Sequence, residues 1–204
     1  MDTAAVGKVT PPDDYAALVR AAAAGDEQAM EQLLRRAQAI AYRFSLMVCG
    51  QALDTEDVMQ DALVSTFRHA GDIRDPGAFR AWLYRTVRNA CLLNRRKRVD
   101  EPAHLLSLDV PDSPDGAPPL DTPSPGESPE EAADAAERRL HLRRALLGLP
   151  ARQREVIVLR DLEGLSTREV AEVLQISEDN VKTRLRRARG ALKTALASPH
   201  TPPR

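Results

Sequence analysis

Residues 165–193, LSTREVAEVLQISEDNVKTRLRRARGALK, decide the fold. Ser166 and Glu169 stand three apart, the spacing of a capping box. In that motif a hydroxyl accepts from the amide three residues on, and a carboxylate accepts from the amide of the cap. The spacing therefore predicts a helix from Thr167, with Val170, Ala171 and Leu174 on its buried face. The small side chain of Ala171 permits a second helix to come close. Ile176 closes the turn and Ser177 caps that second helix, predicted from Glu178 to about Leu196. Its inner face is Val181, Leu185, Ala188 and Leu192, spaced four, three and four. Lys182, Arg186, Arg189 and Lys193 are left pointing outward. Two short helices with a tight turn are a helix-turn-helix, whose second helix enters the DNA major groove. Six Lys and Arg lie between Glu178 and Lys193, and the acids sit only at the first turn, where they favour the helix dipole. From Lys182 to Lys193 the sequence offers the cations no acidic neighbour. Such a strip reads as a DNA-facing surface rather than a solvated one.

Two helices are predicted upstream of this motif. EEAADAAERRLHLRRALLGL ends at Gly148–Pro150, and ARQREVIVLRDLEG is stopped by Gly164. The latter keeps helical spacing through Val156, Leu159 and Leu162 in spite of its β-branched run. Residues 101–135 are different in kind: they hold nine Asp and Glu, no Lys or Arg, and most of the chain's 15 prolines. Proline removes backbone donors and like charges repel, so this stretch builds no core. It is expected to be a flexible acidic Pro-rich linker between two domains.

The N-terminal part, residues 12–100, reads as four helices. Asp26 is placed to cap the second, along which Leu33, Ala37, Ile40, Phe44 and Met47 recur at helical spacing. Asp54 is expected to cap the third, with Val58, Ala62 and Phe67 inward. Asp75 and Pro76 open the fourth, which buries Phe79, Leu83, Val87 and Ala90. Trp82, beside Phe79, is expected in the core, and Tyr84 towards solvent. No period-2 strand pattern occurs, so the fold class is all-α: two small helical domains, 12–100 and 136–197, joined by the linker 101–135.

Charge follows the same division. Residues 136–204 carry 15 basic and 8 acidic side chains, whereas residues 1–100 carry 14 and 13. A basic C-terminal module within a chain of net charge −1 points to nucleic acid. Several classes are disfavoured. The four histidines are scattered, no glycine-rich phosphate loop is present, and no metal-ligand spacing occurs, so no catalytic residue, metal, cofactor or small-molecule substrate is expected. No apolar run is long enough to cross a bilayer and the first residues do not resemble a signal peptide, so membrane insertion is not expected and the cytoplasm is. Cys49 and Cys91, in apolar helical contexts, read as reduced packed thiols.

The two halves together resemble a family. DTEDVMQDALVSTFRHAGDIRDPGAFRAWLYRTVRNACLLNRRKR looks like the second conserved region of bacterial sigma factors. LPARQREVIVLRDLEGLSTREVAEVLQISEDNVKTRLRRARGAL looks like the fourth. With only a linker between them, the chain resembles an extracytoplasmic-function (ECF) sigma factor. The resemblance implies core RNA polymerase and promoter DNA as partners, with an anti-sigma factor as a third. It implies that Asp54, Glu56, Asp57, Gln60 and Asp61 bind the polymerase. It assigns minus-ten recognition and melting to the loop His69–Pro76 and to Arg80, Tyr84, Arg85, Arg88, Asn89, Arg95, Arg96, Lys97 and Arg98. It assigns minus-thirty-five recognition to Lys182, Thr183, Arg186 and Arg187 with Asn180 at the entrance, and phosphate contacts to Arg184 and Arg189. Leu93 and Asn94 depart from a family in which an acidic residue often stands near that helix end. Linkers in the family thread towards the polymerase active site, where an acidic chain suits a positively charged RNA path. The alternative is a helix-turn-helix transcriptional regulator that does not bind core polymerase. It accounts for the C-terminal half, but not for the basic, aromatic-bearing fourth helix of the other.

Overall fold

The computed structural model of the chain describes residues 13–49, 53–73, 75–97 and 129–197. Among them all regular structure is helical. Helix α1 (Asp13–Ala23) ends in a turn at Gly25, whose φ of 92° is readily reached only without a Cβ. Asp26 then caps α2 (Glu27–Val48), accepting from the Ala29 amide at 3.0 Å as the sequence predicts. Leu33, Ala37, Ile40 and Phe44 are buried at helical spacing along α2.

Helix α3 (Leu53–His69) buries Thr55, Val58, Ala62 and Thr66, a stripe in which each member lies three or four residues from the next. Phe67, expected inward, lies one residue off that stripe and is 62% exposed. Thr66 takes the inward place because its hydroxyl donates to the Ala62 carbonyl at 2.8 Å, which satisfies the buried polar group within the helix. Asp54 belongs to the first turn of α3 rather than to its cap, and its side chain lies outside the described residues.

Asp75 accepts from the Gly77 amide at 2.9 Å and opens a 3-10 turn, Pro76–Ala78. Helix α4 (Phe79–Lys97) follows and buries Phe79, Leu83 and Val87 against α2 and α3. Trp82 is half-buried, its ring 5.9 Å from that of Phe79, so the expectation of a core position holds. Cys49, at the end of α2, and Cys91, on α4, form a disulfide with Cα atoms 5.1 Å apart. The sequence reading of two reduced thiols is corrected: packing of α2 on α4 brings together residues 42 apart.

The second unit begins with α5 (Pro129–Leu147), which starts inside the stretch read as linker. The part of that stretch before Pro129 lies outside the described residues. Helix α6 (Ala151–Ile157) runs into a π-helical turn, Val158–Leu162, closed by the Glu163 amide donating to the Val158 carbonyl at 2.9 Å. Gly164, at φ 72°, then stops the helix as expected. Arg154 is buried and donates to the carbonyls of Leu147 and Leu149, at 2.7 and 3.4 Å, where the end of α5 concentrates partial negative charge. Helix α7 (Thr167–Leu174) has the capping box in full, with Ser166 and Glu169 bonded reciprocally. Gln175 ends it in the left-handed region, φ 55°, where glycine would be unstrained. Helix α8 (Glu178–Ala197) buries Val181 and Ala188 and partly buries Leu185 and Leu192. The two units also touch: α7 packs on α4 and α6 on α2.

Candidate nucleic-acid interface

On α8 the apolar stripe is used inward, so the basic residues follow by geometry on the outside. Asn180, Lys182, Thr183, Arg186, Arg187 and Arg189 are exposed, and Arg184 is half-buried. Three of the cations have local partners. Lys182 Nζ donates to Asp179 at 3.1 Å, and Arg184 Nε to the Asn180 side-chain oxygen at 2.8 Å. Arg189 makes a two-pronged pair with Asp161, at 2.8 and 2.7 Å, which raises its pKa above the ordinary arginine value. The sequence reading that these cations have no acid to pair with is thus corrected for Lys182 and Arg189. Asp161 is 28 residues away in sequence and lies within the π turn Val158–Leu162. Lys182 remains 64% exposed on its side chain, and a surface pair of this kind is worth at most about 1 kcal/mol, so DNA can displace it.

On α4 the outcome is different. Arg80, Tyr84 and Arg88 recur every four residues and so share one face. That face meets the second unit. Tyr84, expected towards solvent, is fully buried. Its hydroxyl donates to the Glu163 carboxylate. Arg80 Nη2 donates to the Glu163 backbone carbonyl at 2.6 Å and its guanidinium lies 6.0 Å from the Tyr84 ring centre. Arg88 Nε reaches the buried Glu155 carboxylate at 3.4 Å, and Arg43 of α2 stands 4.0 Å from Glu163. The physical reason for the correction is tertiary: a phenol with a carboxylate acceptor can be buried at small cost. Burial, helped by the Glu163 charge, pushes the Tyr84 pKa well above its ordinary value, so the phenol keeps its proton and donates. Burial opposes charge on Arg80, but Tyr84 and Glu163 outweigh it and raise its pKa. Arg85 and Asn89 lie on other faces and are exposed. Arg95, Arg96 and Lys97 continue α4, but their side chains, and Arg98 altogether, lie outside the described residues, as does Arg74 of the loop.

Glu56, Asp57, Gln60 and Asp61 are all exposed on α3. Asp57 and Asp61 are one turn apart on one face. Asp61 also lines a shallow depression between α3 and α4 with Thr86, Asn89, Ala90, Leu93 and Asn94. The structure therefore sets one expected polymerase contact beside one expected promoter contact. Sequence reasoning missed Glu155, Glu163 and Arg43. Each reads locally as an ordinary helix or turn residue, and their joint position depends on how the two units meet. Among the described residues, no cluster of three or more His, Cys, Asp or Glu could hold a metal, and no helix is long and apolar enough to cross a membrane.

Two helical units, a helix-turn-helix with an exposed basic second helix, and a further basic helix fit a DNA-binding protein. Comparison with known proteins makes this specific. The family described as Sigma-70 region 2 matches residues 29–100, and Sigma-70, region 4 matches residues 139–192. The chain is 32% identical to the ECF RNA polymerase sigma factor SigM of Mycobacterium tuberculosis, over 89% of this chain and 84% of that one. It is 33% identical to SigL of the same species, over 88% and 96%. Among solved structures, CnrH in complex with the cytosolic domain of CnrY is 29% identical, with a TM-score of 0.58 over 92% of this chain and all of that one. The sigma factor RpoE of Bartonella quintana, with the anti-sigma factor NepR, shares the fold at 22% identity and a TM-score of 0.63, covering 83% and 98%. The chain belongs to the ECF RNA polymerase sigma factors.

Proposed function

We propose that this chain directs core RNA polymerase to promoters by dividing the work among three helices. The exposed acids of α3, Glu56, Asp57 and Asp61, with Gln60 among them and Asp54 in the first turn, hold the polymerase. Helix α8 reads the minus-thirty-five element through Lys182, Thr183, Arg186 and Arg187, with Asn180 at its entrance and Arg184 and Arg189 on phosphates. Arg pairs bidentately with guanine and Asn with adenine, so the residue types suit base edges. Helix α4 reads and opens the minus-ten element through Arg80, Tyr84, Arg85, Arg88 and Asn89 and the basic run 95–98, combining cations for backbone with a ring for an unstacked base. The first domain is 12–100; the linker read as 101–135 ends before Pro129, where α5 opens the second domain, which runs to 197. The chain supplies no catalytic residue, since bond formation belongs to the polymerase, and it works where that enzyme is, in the cytoplasm. Membership of the family implies an anti-sigma factor as a third partner, the kind of protein with which the sigma factor RpoE of Bartonella quintana is in complex.

The observation that carries this reading is the exposed basic outer face of α8 in the same chain as the exposed acidic face of α3. Core enzyme tests it. Asp57→Lys together with Asp61→Lys turns two anions into two cations facing the same partner. Co-purification with core polymerase is expected to be abolished, with the circular dichroism spectrum unchanged. Normal assembly and transcription by the double variant would reduce the acidic face to helix decoration.

A further inference from the structure

Resting on the roles of α3 and α4 just proposed and on their cytoplasmic setting, we propose that Cys49 and Cys91 are a reversible thiol–disulfide couple. Closing it secures the first unit, and opening it loosens the polymerase and promoter faces which that unit carries. The two are the only cysteines of the chain, so the bond has a single possible pairing within it. Their Cα atoms, 5.1 Å apart, lie inside the span that a disulfide bridges. Cytoplasmic thiols are kept reduced, and a disulfide formed there is usually transient, catalytic or redox-sensing rather than a permanent staple. Neither sulfur stands beside a metal-like cluster, and catalysis is no part of this chain's role, which leaves redox sensing.

The position of the bond ties it to function. It joins the C-cap of α2 to α4 across 42 residues. The covalent ring so closed contains the whole of α3, the loop 69–76, and Arg80, Arg85, Arg88 and Asn89 of α4. The ring therefore carries the entire polymerase face and most of the minus-ten face, whereas α8 lies outside it. Closure hides neither face: Glu56, Asp57, Gln60 and Asp61 of α3, and Arg85 and Asn89 of α4, are exposed with the disulfide in place. The bond acts through the unfolded chain, by removing conformations that the dithiol can reach. For a ring of this length the unfolding equilibrium shifts towards the folded unit by about two to three orders of magnitude. Both residues are shielded, Cys49 9% and Cys91 6% exposed, so a small oxidant reaches the sulfurs more readily than a protein does. A peroxide suffices. One thiol attacks it, an S–O bond forms as the O–O bond breaks, and water leaves a sulfenic acid behind. The second thiol attacks the sulfenic sulfur, the S–S bond forms as the S–O bond breaks, and a second water leaves. Two thiols and one hydrogen peroxide thus give one disulfide and two waters. A thiol reductant returns the two electrons and two protons and is itself oxidised to a disulfide.

The test uses the full chain. It is brought to equilibrium in buffers stepping from oxidised to reduced glutathione, and its free thiols are trapped with a maleimide and counted. The couple predicts conversion from disulfide to dithiol within the series. A bond still closed in the most reducing buffer would be a permanent staple, and thiols still free in the most oxidising one would be mere packing; either result overturns the proposal. Thermal melting of the peroxide-oxidised and dithiothreitol-reduced chain reads the consequence, a midpoint higher by about 10 °C or more in the oxidised form. Equal midpoints would overturn the securing of the first unit. In the control, Cys49→Ala with Cys91→Ala, the midpoint should not respond to oxidant or reductant, however far the substitutions themselves displace it, and a response there would assign the effect to other groups. Co-purification with core polymerase, at a temperature between the two midpoints, reads the function. The oxidised chain should be retained and the reduced chain lost, and equal retention would separate the couple from polymerase binding and overturn its regulatory role. Thiol counting and melting involve no polymerase, so failure of the sigma reading shows separately, as an oxidised chain that core enzyme does not bind at any temperature.

Discussion

Helices α4 and α8 make an instructive pair. They are 19 and 20 residues long, each carries an apolar stripe on one side and Arg or Lys on the other, and each is assigned to promoter DNA. On α8 the basic side meets solvent. On α4 the matching side meets Glu155 and Glu163 of the second unit, and a tyrosine that belongs to it is buried outright. Charge pattern on a helix states what a face can bind. Whether the face is available is decided by what folds onto it.

The largest expected effect is on the open helix. Lys182→Ala with Arg186→Ala should weaken upstream-element binding by about 1–3 kcal/mol for each side chain that pairs with a base edge, with relaxed base preference at one position and unchanged helicity. Equal weakening on every sequence, in a mobility-shift series, would reclassify both as phosphate binders, and unchanged binding would remove α8 from the groove. A smaller effect follows from the Arg189–Asp161 pair, which holds one cation of α8 aside. Asp161→Asn should release it, raising affinity on all sequences alike and steepening the salt dependence by about one ion. An unchanged salt slope would show that Arg189 does not touch phosphate. The smallest concerns the turn between the helices. Gln175 occupies φ 55°, a region that costs a side chain roughly 1 kcal/mol, so Gln175→Gly should raise the thermal midpoint slightly. A lowered midpoint would mean that the Gln175 side chain contributes more than its backbone costs.

The helix-turn-helix half was legible in the sequence because its signals are local. A capping box needs residues three apart, a helix stripe needs residues three or four apart, and Ser166, Glu169, Val181 and Ala188 all stand where those rules put them. Phe67 failed under the same rule: hydrophobicity favoured it, but the stripe through Val58 and Ala62 continues to Thr66, which is buried with its hydroxyl bonded within the helix. The failures at Tyr84 and the cysteines have another cause. Tyr84 meets Glu163 across 79 residues, and Cys49 meets Cys91 across 42. No spacing rule reaches that far, and a helical wheel of α4 shows two faces without saying that both are covered. Asp161, the partner of Arg189, was hidden for the same reason, since a π turn alters which residues share a face.

In vitro transcription from a promoter library, with core RNA polymerase in the presence and absence of this chain, tests the central claim most directly. The account predicts transcripts only when both are present, from a subset of promoters sharing an upstream and a downstream element, and disappearance of the upstream preference with Lys182→Ala and Arg186→Ala. Promoter binding by the chain alone, with no gain in specific transcripts from core enzyme, would contradict it and leave a helix-turn-helix regulator in its place.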